Sequence, residues 1–266
     1  MFLLALAIAP GIAIFIFIWS LNRMGKTSAR FMITSFLLGA LATVPPLVIQ
    51  LLSVDVRVEP WRHSILSYIW YAFGVVAFSE EGSKFLVLRF YAYPKTVFRQ
   101  PFDGVVFCVA IGMGFATVEN IEYVRQFGLE TGVSRFFLAI PAHAAFAVLM
   151  GYPVGRAKFV GTHVPVKTAH GEEPSVAAVA KDSRNLGRFV RHRSFRLMAK
   201  GLAVAVLFHG SFDFFVFLQQ NREARKYLST SVLSFGAFAT FYIAVRLAMR
   251  ALRTYRTVPE QDIEND

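Results

Sequence analysis

Long apolar stretches constrain this chain more than any other feature of its sequence. Residues 2–21 form an apolar run of about 20 positions, enough for a helix to cross a hydrocarbon core of about 30 Å. Pro45 and Pro46 should kink the second run, because a proline removes a backbone donor and crowds the preceding turn. The pattern predicts an all-α fold, a polytopic membrane helical bundle of about seven transmembrane helices. The further runs lie at about 31–52, 66–92, 103–125, 136–155, 197–219 and 230–250.

The composition indicates lipid as the main solvent of the chain. Hydrophobic residues make up 55% of the 266 positions and the mean hydropathy is +0.49, outside the range of ordinary soluble domains. The net charge of +11 does not indicate nucleic acid, because excess Lys and Arg in a membrane protein usually face anionic lipid headgroups. We therefore expect a protein that is integral to the lipid bilayer and binds no nucleic acid.

The distribution of basic residues predicts the orientation of the bundle. Most Lys and Arg residues follow the first, third and fifth runs or lie in the C-terminal tail, with a concentration between Arg156 and Lys200. By the positive-inside rule, the N-terminus lies outside and the C-terminus in the cytoplasm. We expect residues 1–255 to form a single transmembrane domain, within which 156–196 is a flexible basic cytoplasmic loop, followed by a cytoplasmic tail over 256–266.

Ionisable side chains lie inside the apolar runs, where each costs roughly 2.5 to 3.5 kcal/mol at mid-bilayer. Such residues are functional candidates by default, and several together are tolerated only when they pair with one another or bind a cation. Four of the predicted helices carry them: Glu80, Glu81, Lys84, Glu119, His143, His209 and Asp213.

The spacing of these residues indicates that they converge on one site. Lys84 follows Glu80 by four residues and Glu81 by three, so it can neutralise a glutamate on its own helix face. His209 and Asp213 are four residues apart and point the same way. Counted along the helices, most of the candidates fall in one layer of the outer half of the membrane. Glu80 and Glu81 belong to this layer only if the third helix enters the membrane late, around Tyr68 to Tyr71.

Four segments that carry these residues resemble the motifs of a known family. They are EEGSK (Glu80–Lys84), FATVEN (Phe115–Asn120), RFFLAIPAHAAFAVLMGY (Arg135–Tyr152) and HGSFD (His209–Asp213). This ordered set is similar to that of the PrsW family of intramembrane proteases, a polytopic group related to the CAAX-processing proteases. The resemblance also brings Asn120 into the predicted site, and it adds Phe115 and Arg135 to Lys84 as supporting residues.

The resemblance implies an enzyme, an intramembrane peptidase that cleaves a peptide bond in or near a membrane-spanning protein substrate. Bacterial anti-sigma factors are the best-known substrates of the family. A partner of this class and a location in a bacterial cytoplasmic membrane are therefore what the resemblance predicts. The first helices, the segment 156–196 and the tail carry none of the motifs.

Peptide hydrolysis requires an activated water, a group that stabilises the oxyanion and a proton donor for the leaving amine. Glu80 or Glu81 is the natural general base, because a carboxylate removed from water becomes more basic. The sequence does not distinguish between the two glutamates.

Two versions of the chemistry fit the remaining residues. In a metal-dependent version, His143 and His209 with a carboxylate from Glu119 or Asp213 hold a catalytic zinc ion that keeps an open position for water. In a metal-independent version, a glutamate activates water directly, while a histidine and Asn120 or Asp213 hold the oxyanion. The chain has no HExxH motif, and we favour zinc while both versions stay open.

Two other classes of function compete with proteolysis. A proton-coupled transporter also uses buried acids and histidines, and it predicts pH-dependent flux of a small solute. A non-catalytic scaffold would use Glu80, Glu81 and Lys84 as a buried ion pair that sets helix register, with His143 bonded to a backbone carbonyl. The scaffold predicts that Glu81→Gln and His209→Ala leave function intact.

Overall fold

The structure, a computed structural model, describes residues 2–21, 28–55, 65–160, 176–221 and 224–256. Within these ranges the chain forms helices and no β-strand, which confirms the predicted all-α class. Among the described residues, five stretches are long and apolar enough to cross a membrane: Phe2–Leu21, Ala29–Ser53, Pro101–Lys158, Arg191–Gln220 and Thr230–Thr254.

The first two predicted runs form three helices. Helix α1 (Phe2–Leu21) is followed by α2 (Ala29–Leu41) and α3 (Val44–Asp55). The break between α2 and α3 lies directly before Pro45 and Pro46, which occupy the first turn of α3. Proline is tolerated there because the first amides of a helix have no partner within the helix. The predicted kink in the second run is confirmed.

The third predicted run is helical throughout but is not uniformly α-helical. It comprises α4 (Ile65–Ile69), a π-helical segment (Trp70–Ala77), α5 (Phe78–Val87) and a second π-helical segment (Leu88–Ala92). A π-helical turn holds more residues than an α-helical one, so it rotates the side chains that follow it around the helix axis. This stretch is not among the five apolar ones above, and it carries four charged residues: Glu80, Glu81, Lys84 and Arg89.

The fourth and fifth predicted runs form α6 (Pro101–Phe137) and α7 (Ala139–Lys158). At the start of α6, the Asp103 carboxylate accepts hydrogen bonds from the backbone amides of Arg99 and Gln100, at 2.6 and 3.0 Å. Such a carboxylate satisfies amides that the first helical turn leaves unpaired.

The C-terminal helices are longer than the sequence predicted. Helix α8 begins at Val176, so the second half of the segment 156–196, which we expected to be a flexible basic loop, is helical. Ala and Arg are frequent in this part of the chain and both favour helix. Residues 161–175 and 257–266 lie outside the described residues. The helices of this part are α8 (Val176–Gln220), α9 (Ala224–Tyr227) and α10 (Thr230–Arg256).

Helix α6 lies at the centre of the bundle and packs against α1, α2 and α7. Its close approach to α2 depends on Gly114, where an added Cβ would lie 2.8 Å from the carbonyl carbon of Phe36 and 3.0 Å from the amide nitrogen of Ala40. Small residues at helix crossings allow this spacing in membrane proteins. Helices α5 and α8 also pack together, so side chains of α5, α6, α7 and α8 meet in the interior.

Candidate active site

Three charged side chains of α5 lie in the interior of the bundle. Glu80, Glu81 and Lys84 are 4%, 1% and 3% exposed. Lys84 Nζ lies 2.7 Å from Glu81 Oε1 and 3.7 Å from Glu80 Oε2, which are the contacts that the spacing predicted. Buried charges are costly unless they are paired. Lys84 therefore balances part of the negative charge of the two glutamates from within the same helix.

His209 of α8 brings a second helix to the same carboxylates. Its Nδ1 lies 2.8 Å from Glu81 Oε1, and because a carboxylate oxygen accepts, this ring nitrogen carries a hydrogen. Its Nε2 faces two other carboxylate oxygens, Asp213 Oδ2 at 3.2 Å and Glu80 Oε2 at 3.8 Å. A carboxylate that orients one ring nitrogen leaves the other free for a metal, a water or a proton.

His143 of α7 lies on the other side of Lys84. Lys84 Nζ is 3.2 Å from His143 Nδ1, and an ammonium group can only donate, so Nδ1 accepts and the hydrogen of the neutral ring is on Nε2. His143 Nε2 in turn lies 2.9 Å from Glu119 Oε2. The rings of His143 and His209 meet edge to face, with centroids 5.1 Å apart.

Glu119 is held in place by a chain of polar contacts that reaches the first helix. Arg135 Nη2 lies 3.0 Å from Glu119 Oε1, and Arg135 Nε donates to Asn120 Oδ1 at 3.0 Å. Asn120 Nδ2 donates to the carbonyl of Ala7 at 2.9 Å. The Arg135 guanidinium also lies 4.0 Å from the centroid of the Tyr123 ring. These contacts connect α1 to the polar site.

Arg135 reaches Glu119 because α6 is interrupted. In an unbroken helix the two residues would lie about 24 Å apart along the axis, yet they form an ion pair. The interruption is at Gly128, whose φ of 79° and ψ of −157° are not helical. This combination is essentially restricted to glycine, so Gly128 allows Arg135 to return to Glu119.

Aromatic rings line the charged cluster. The ring centroid of Phe115 lies 3.9 Å from Lys84 Nζ, a cation–π contact. Phe146 stacks on His209 with centroids 5.3 Å apart. Both phenylalanines are fully buried, and rings in these positions keep water away from most of the charged groups and strengthen their interactions.

The donor atoms of this site fit a divalent metal ion. One donor atom from each of Glu80, His143 and His209 lies within 4.8 Å of the other two, and two imidazoles with a carboxylate are ligands of catalytic zinc. Two buried carboxylate oxygens, Glu80 Oε2 and Glu119 Oε2, accept no hydrogen bond of ordinary geometry. A cation would satisfy such oxygens.

Metal binding at this site requires the contact between Lys84 and His143 to change. A neutral imidazole binds a metal only through a nitrogen without hydrogen. For His143 Nε2 to become a ligand, its hydrogen must move to Nδ1, and Lys84 must then turn away from that nitrogen. The ammonium group of Lys84 would then stay paired with Glu81, whose Oε1 lies 2.7 Å from Lys84 Nζ.

The structure brings most of the predicted site residues into one cluster, and it adds one that the sequence did not indicate. Among the described residues, Asn120 reaches the cluster through Arg135, and Phe115 lines it. The added residue is Gln50 of α3, whose Nε2 donates to Glu80 Oε1 at 3.2 Å. A lone amide among apolar residues was the only signal for Gln50. The clustered residues are Glu80, Glu81, Lys84, Glu119, Arg135, His143, His209 and Asp213.

Comparison with known protein families finds a match over more than half of the chain. The family model described as PrsW family intramembrane metalloprotease matches residues 27–171. The matched region contains the candidate residues of α5, α6 and α7 and ends before His209.

Curated relatives extend this match. Protease PrsW of Shouchella clausii is 37% identical over 59% of this chain and 70% of its own length. Protease PrsW of Halalkalibacterium halodurans is 35% identical over 60% of this chain and 72% of its own. Protease PrsW of Clostridioides difficile is 29% identical over 82% of this chain and 80% of its own. No solved structure matches the chain.

Proposed function

Because the chain belongs to the PrsW family of intramembrane metalloproteases, and is therefore an integral membrane peptidase that acts on membrane proteins, we propose that Glu80 activates the water that hydrolyses its substrate. The observation that carries this proposal is Glu80 Oε2, a buried carboxylate oxygen that accepts no hydrogen bond and faces His209. A general base needs such an oxygen within reach of the attacking water. The scissile bond lies in or near the membrane-spanning segment of the substrate.

The contacts of the two glutamates favour Glu80 over Glu81 as the base. Glu81 Oε1 accepts hydrogen bonds from both Lys84 Nζ and His209 Nδ1, at 2.7 and 2.8 Å. Protonation of Glu81 would weaken both contacts, so its role is to hold the cation and the histidine. Glu80 loses no strong contact when its Oε2 takes a proton.

The proton moves along a short path. As the water oxygen attacks the carbonyl carbon of the substrate, Glu80 Oε2 takes a proton from that water. When the carbon–nitrogen bond breaks, Glu80 returns this proton to the leaving amine, which restores the carboxylate. Glu119 and Arg135 hold His143 from the opposite side, and Asn120 holds Arg135.

We also propose that His143, His209 and Asp213 hold the metal that the family description implies. When bound, a metal ion polarises the water and the carbonyl group of the substrate. Glu80 lies close to both histidines, as a base next to such a metal must. Without metal, hydrolysis relies on Glu80 alone for water activation, and a histidine N–H that turns from its carboxylate partner to the substrate stabilises the oxyanion.

The substrate class we propose is a single-span bacterial anti-sigma factor. Its support is the resemblance of the motifs to a family in which such proteins are substrates, together with relatives that are all bacterial. The corresponding location is the bacterial cytoplasmic membrane.

The topology we propose has seven membrane segments, with the N-terminus outside and the C-terminus in the cytoplasm. Its support is the helical stretch 65–92, which is long enough to span although charged, and the break in α6, which divides 101–158 into two segments. The basic residues then lie mainly on the cytoplasmic side. Residues 1–255 form one domain in this proposal, with a basic cytoplasmic segment over 156–196 and a cytoplasmic tail over 256–266.

A reconstituted assay tests the proposed mechanism. The purified protein is placed in liposomes with a panel of single-span bacterial membrane proteins that includes anti-sigma factors, and products are mapped by mass spectrometry. We expect cleavage by the wild type and none by Glu80→Gln. The matched control is Glu122→Gln, which changes an exposed glutamate of α6 that pairs with Arg125 and should leave cleavage unchanged.

Three results would contradict parts of this proposal. A folded wild type that leaves the whole panel uncut, while carrying a solute in a pH-dependent manner, would favour a transporter. Cleavage by Glu80→Gln at the wild-type rate would remove Glu80 as the base. Cleavage that survives exhaustive treatment with a zinc chelator would retain the protease and exclude the metal-dependent version.

A further inference from the structure

Gln50 of α3 is a polar residue in an otherwise apolar environment. The sequence 44–52 reads VPPLVIQLL, and the side chains around Gln50 are largely exposed on the outer surface of the bundle: Leu47 by 53%, Val48 by 47%, Ile49 by 43% and Leu51 by 60%. In a membrane these residues face lipid. An amide at this depth is costly unless it has a partner, and Gln50 is directed towards α5, against which α3 packs.

The partner of Gln50 is the proposed base. Gln50 Nε2 donates to Glu80 Oε1 at 3.2 Å, while Glu80 Oε2 accepts no hydrogen bond. The reverse assignment of the amide would place its carbonyl oxygen against a carboxylate oxygen, and two acceptors repel each other. The two oxygens of Glu80 therefore have different surroundings, and α3 is responsible for the difference.

We infer that Gln50 is a positioning residue that fixes Glu80 Oε1 and so assigns base function to Oε2. An amide N–H can only donate, so Oε1 has to remain an acceptor whether Glu80 is charged or neutral. A proton taken from water then resides on Oε2, the oxygen that faces His209. The inference rests on the proposed role of Glu80 and extends it to a helix that carries none of the four motifs.

Three substitutions at position 50 separate hydrogen bonding from packing. Met has nearly the length of Gln without the donor, and Leu has nearly the shape of Asn without the donor. If the donor matters, Gln50→Met and Gln50→Leu lower kcat about tenfold to a hundredfold, as expected when a hydrogen bond to a charged group is lost. Gln50→Asn, with a shorter amide, lies between these variants and the wild type. KM changes little, because Gln50 does not contact substrate in this role.

The assay uses the full-length protein in liposomes and a panel substrate that the wild type cleaves. Ser53→Ala is the matched control on the same helix, since the Ser53 hydroxyl donates to the carbonyl of Ile49 in its own helix. This control should retain the wild-type kcat. Thermal unfolding of each variant is measured in parallel, so that a lower kcat in a folded variant is separated from a loss of folded protein.

The outcomes distinguish this inference from the proposed function. If the wild type cleaves and Gln50→Met has the same kcat, the inference is wrong while the protease stands. If activity follows side-chain size, with Met equal to Gln and Asn equal to Leu, the role of Gln50 is packing and the inference is also wrong. If the wild type cleaves nothing, or Glu80→Gln cleaves normally, the proposed role of Glu80 fails and the inference falls with it.

Discussion

The adjacent glutamates of α5 have different roles in the structure although the sequence presents them as equivalent. Glu81 receives Lys84 and His209 on a single oxygen, whereas Glu80 keeps one oxygen without a hydrogen bond. Residues that follow one another on a helix point about 100° apart, so neighbours meet different surroundings. In the proposed mechanism, Glu81 holds Lys84 and His209 in place and Glu80 transfers the proton.

We expect Glu81→Gln to reduce stability as well as cleavage. Removal of its charge leaves the buried Lys84 without its closest partner, and loss of one member of a buried pair typically costs about 3–5 kcal/mol. Glu80→Gln should abolish cleavage with a smaller loss of stability, because Lys84 then keeps Glu81. Thermal unfolding in detergent, measured beside cleavage, checks the difference. Equal melting temperatures for the two variants would contradict these separate roles.

Replacement of Arg135 by either Lys or Gln should lower the rate of cleavage. Its guanidinium contacts Glu119 and Asn120 at once, and the single ammonium group of Lys does not reproduce this planar arrangement. We expect Arg135→Lys to lower kcat roughly tenfold and Arg135→Gln to lower it further, because Glu119 then loses its charged partner. Arg125→Lys is the control, since Arg125 is exposed on the same helix. Wild-type kcat in Arg135→Lys would show that charge alone is sufficient.

The sequence revealed the site residues whose charged or titratable side chains are costly to place in lipid. Glu80, Lys84 and His209 attract attention because charged or titratable groups within apolar helices need a reason. Gln50 is neutral, costs less and belongs to no motif, so the same reasoning did not find it. The pairing of His209 with Glu81 also escaped prediction, because contacts between helices depend on crossing angles and rotation, which hydropathy does not specify.

At the level of elements, the helices were easier to predict than their interruptions. Apolar length predicted the helical runs, and the break before Pro45 followed from proline geometry. The π-helical turns at Trp70–Ala77 and Leu88–Ala92 left no recognisable pattern in the sequence. The polar composition of 176–196 indicated a loop, whereas the structure has the start of α8 there, since propensity for helix does not require apolar residues.

At Gly128, the interruption of α6 brings Arg135 back to the candidate site. We expect Gly128→Ala to destabilise the protein by about 1–3 kcal/mol, because its backbone conformation is strained for any residue with a Cβ. An added Cβ at Gly128 would have nothing within 4 Å, so the loss would come from the backbone and not from a clash. Cleavage should fall as well, because Arg135 no longer meets Glu119 in the same geometry.

Gly82→Ala is the matched control for this prediction. Gly82 also has open space around an added Cβ, but it lies within α5, where Ala is preferred to Gly. Its melting temperature should equal or exceed that of the wild type. If Gly128→Ala unfolds at the same temperature as Gly82→Ala, the backbone conformation at position 128 imposes no strain on an alanine.

At the scale of the whole molecule, the site joins helices from distant parts of the chain. Glu81 of α5 and His209 of α8 share a hydrogen bond, His143 of α7 contacts Glu119 of α6, and Asn120 connects the cluster to α1. The polar residues that lipid disfavours therefore also link these helices to one another. Loss of one helix from this arrangement would expose several buried charges at once.

The orientation of this bundle in the membrane can be tested with single cysteines. The native Cys108 is 1% exposed, so the wild type should react little with a thiol reagent that does not cross membranes. If the basic segments face the cytoplasm, Thr230→Cys, at the start of α10, should be labelled in intact cells. Ser28→Cys, between α1 and α2, should be labelled only after permeabilisation. The opposite pattern would invert the proposed topology and move the active site to the cytoplasmic half of the membrane.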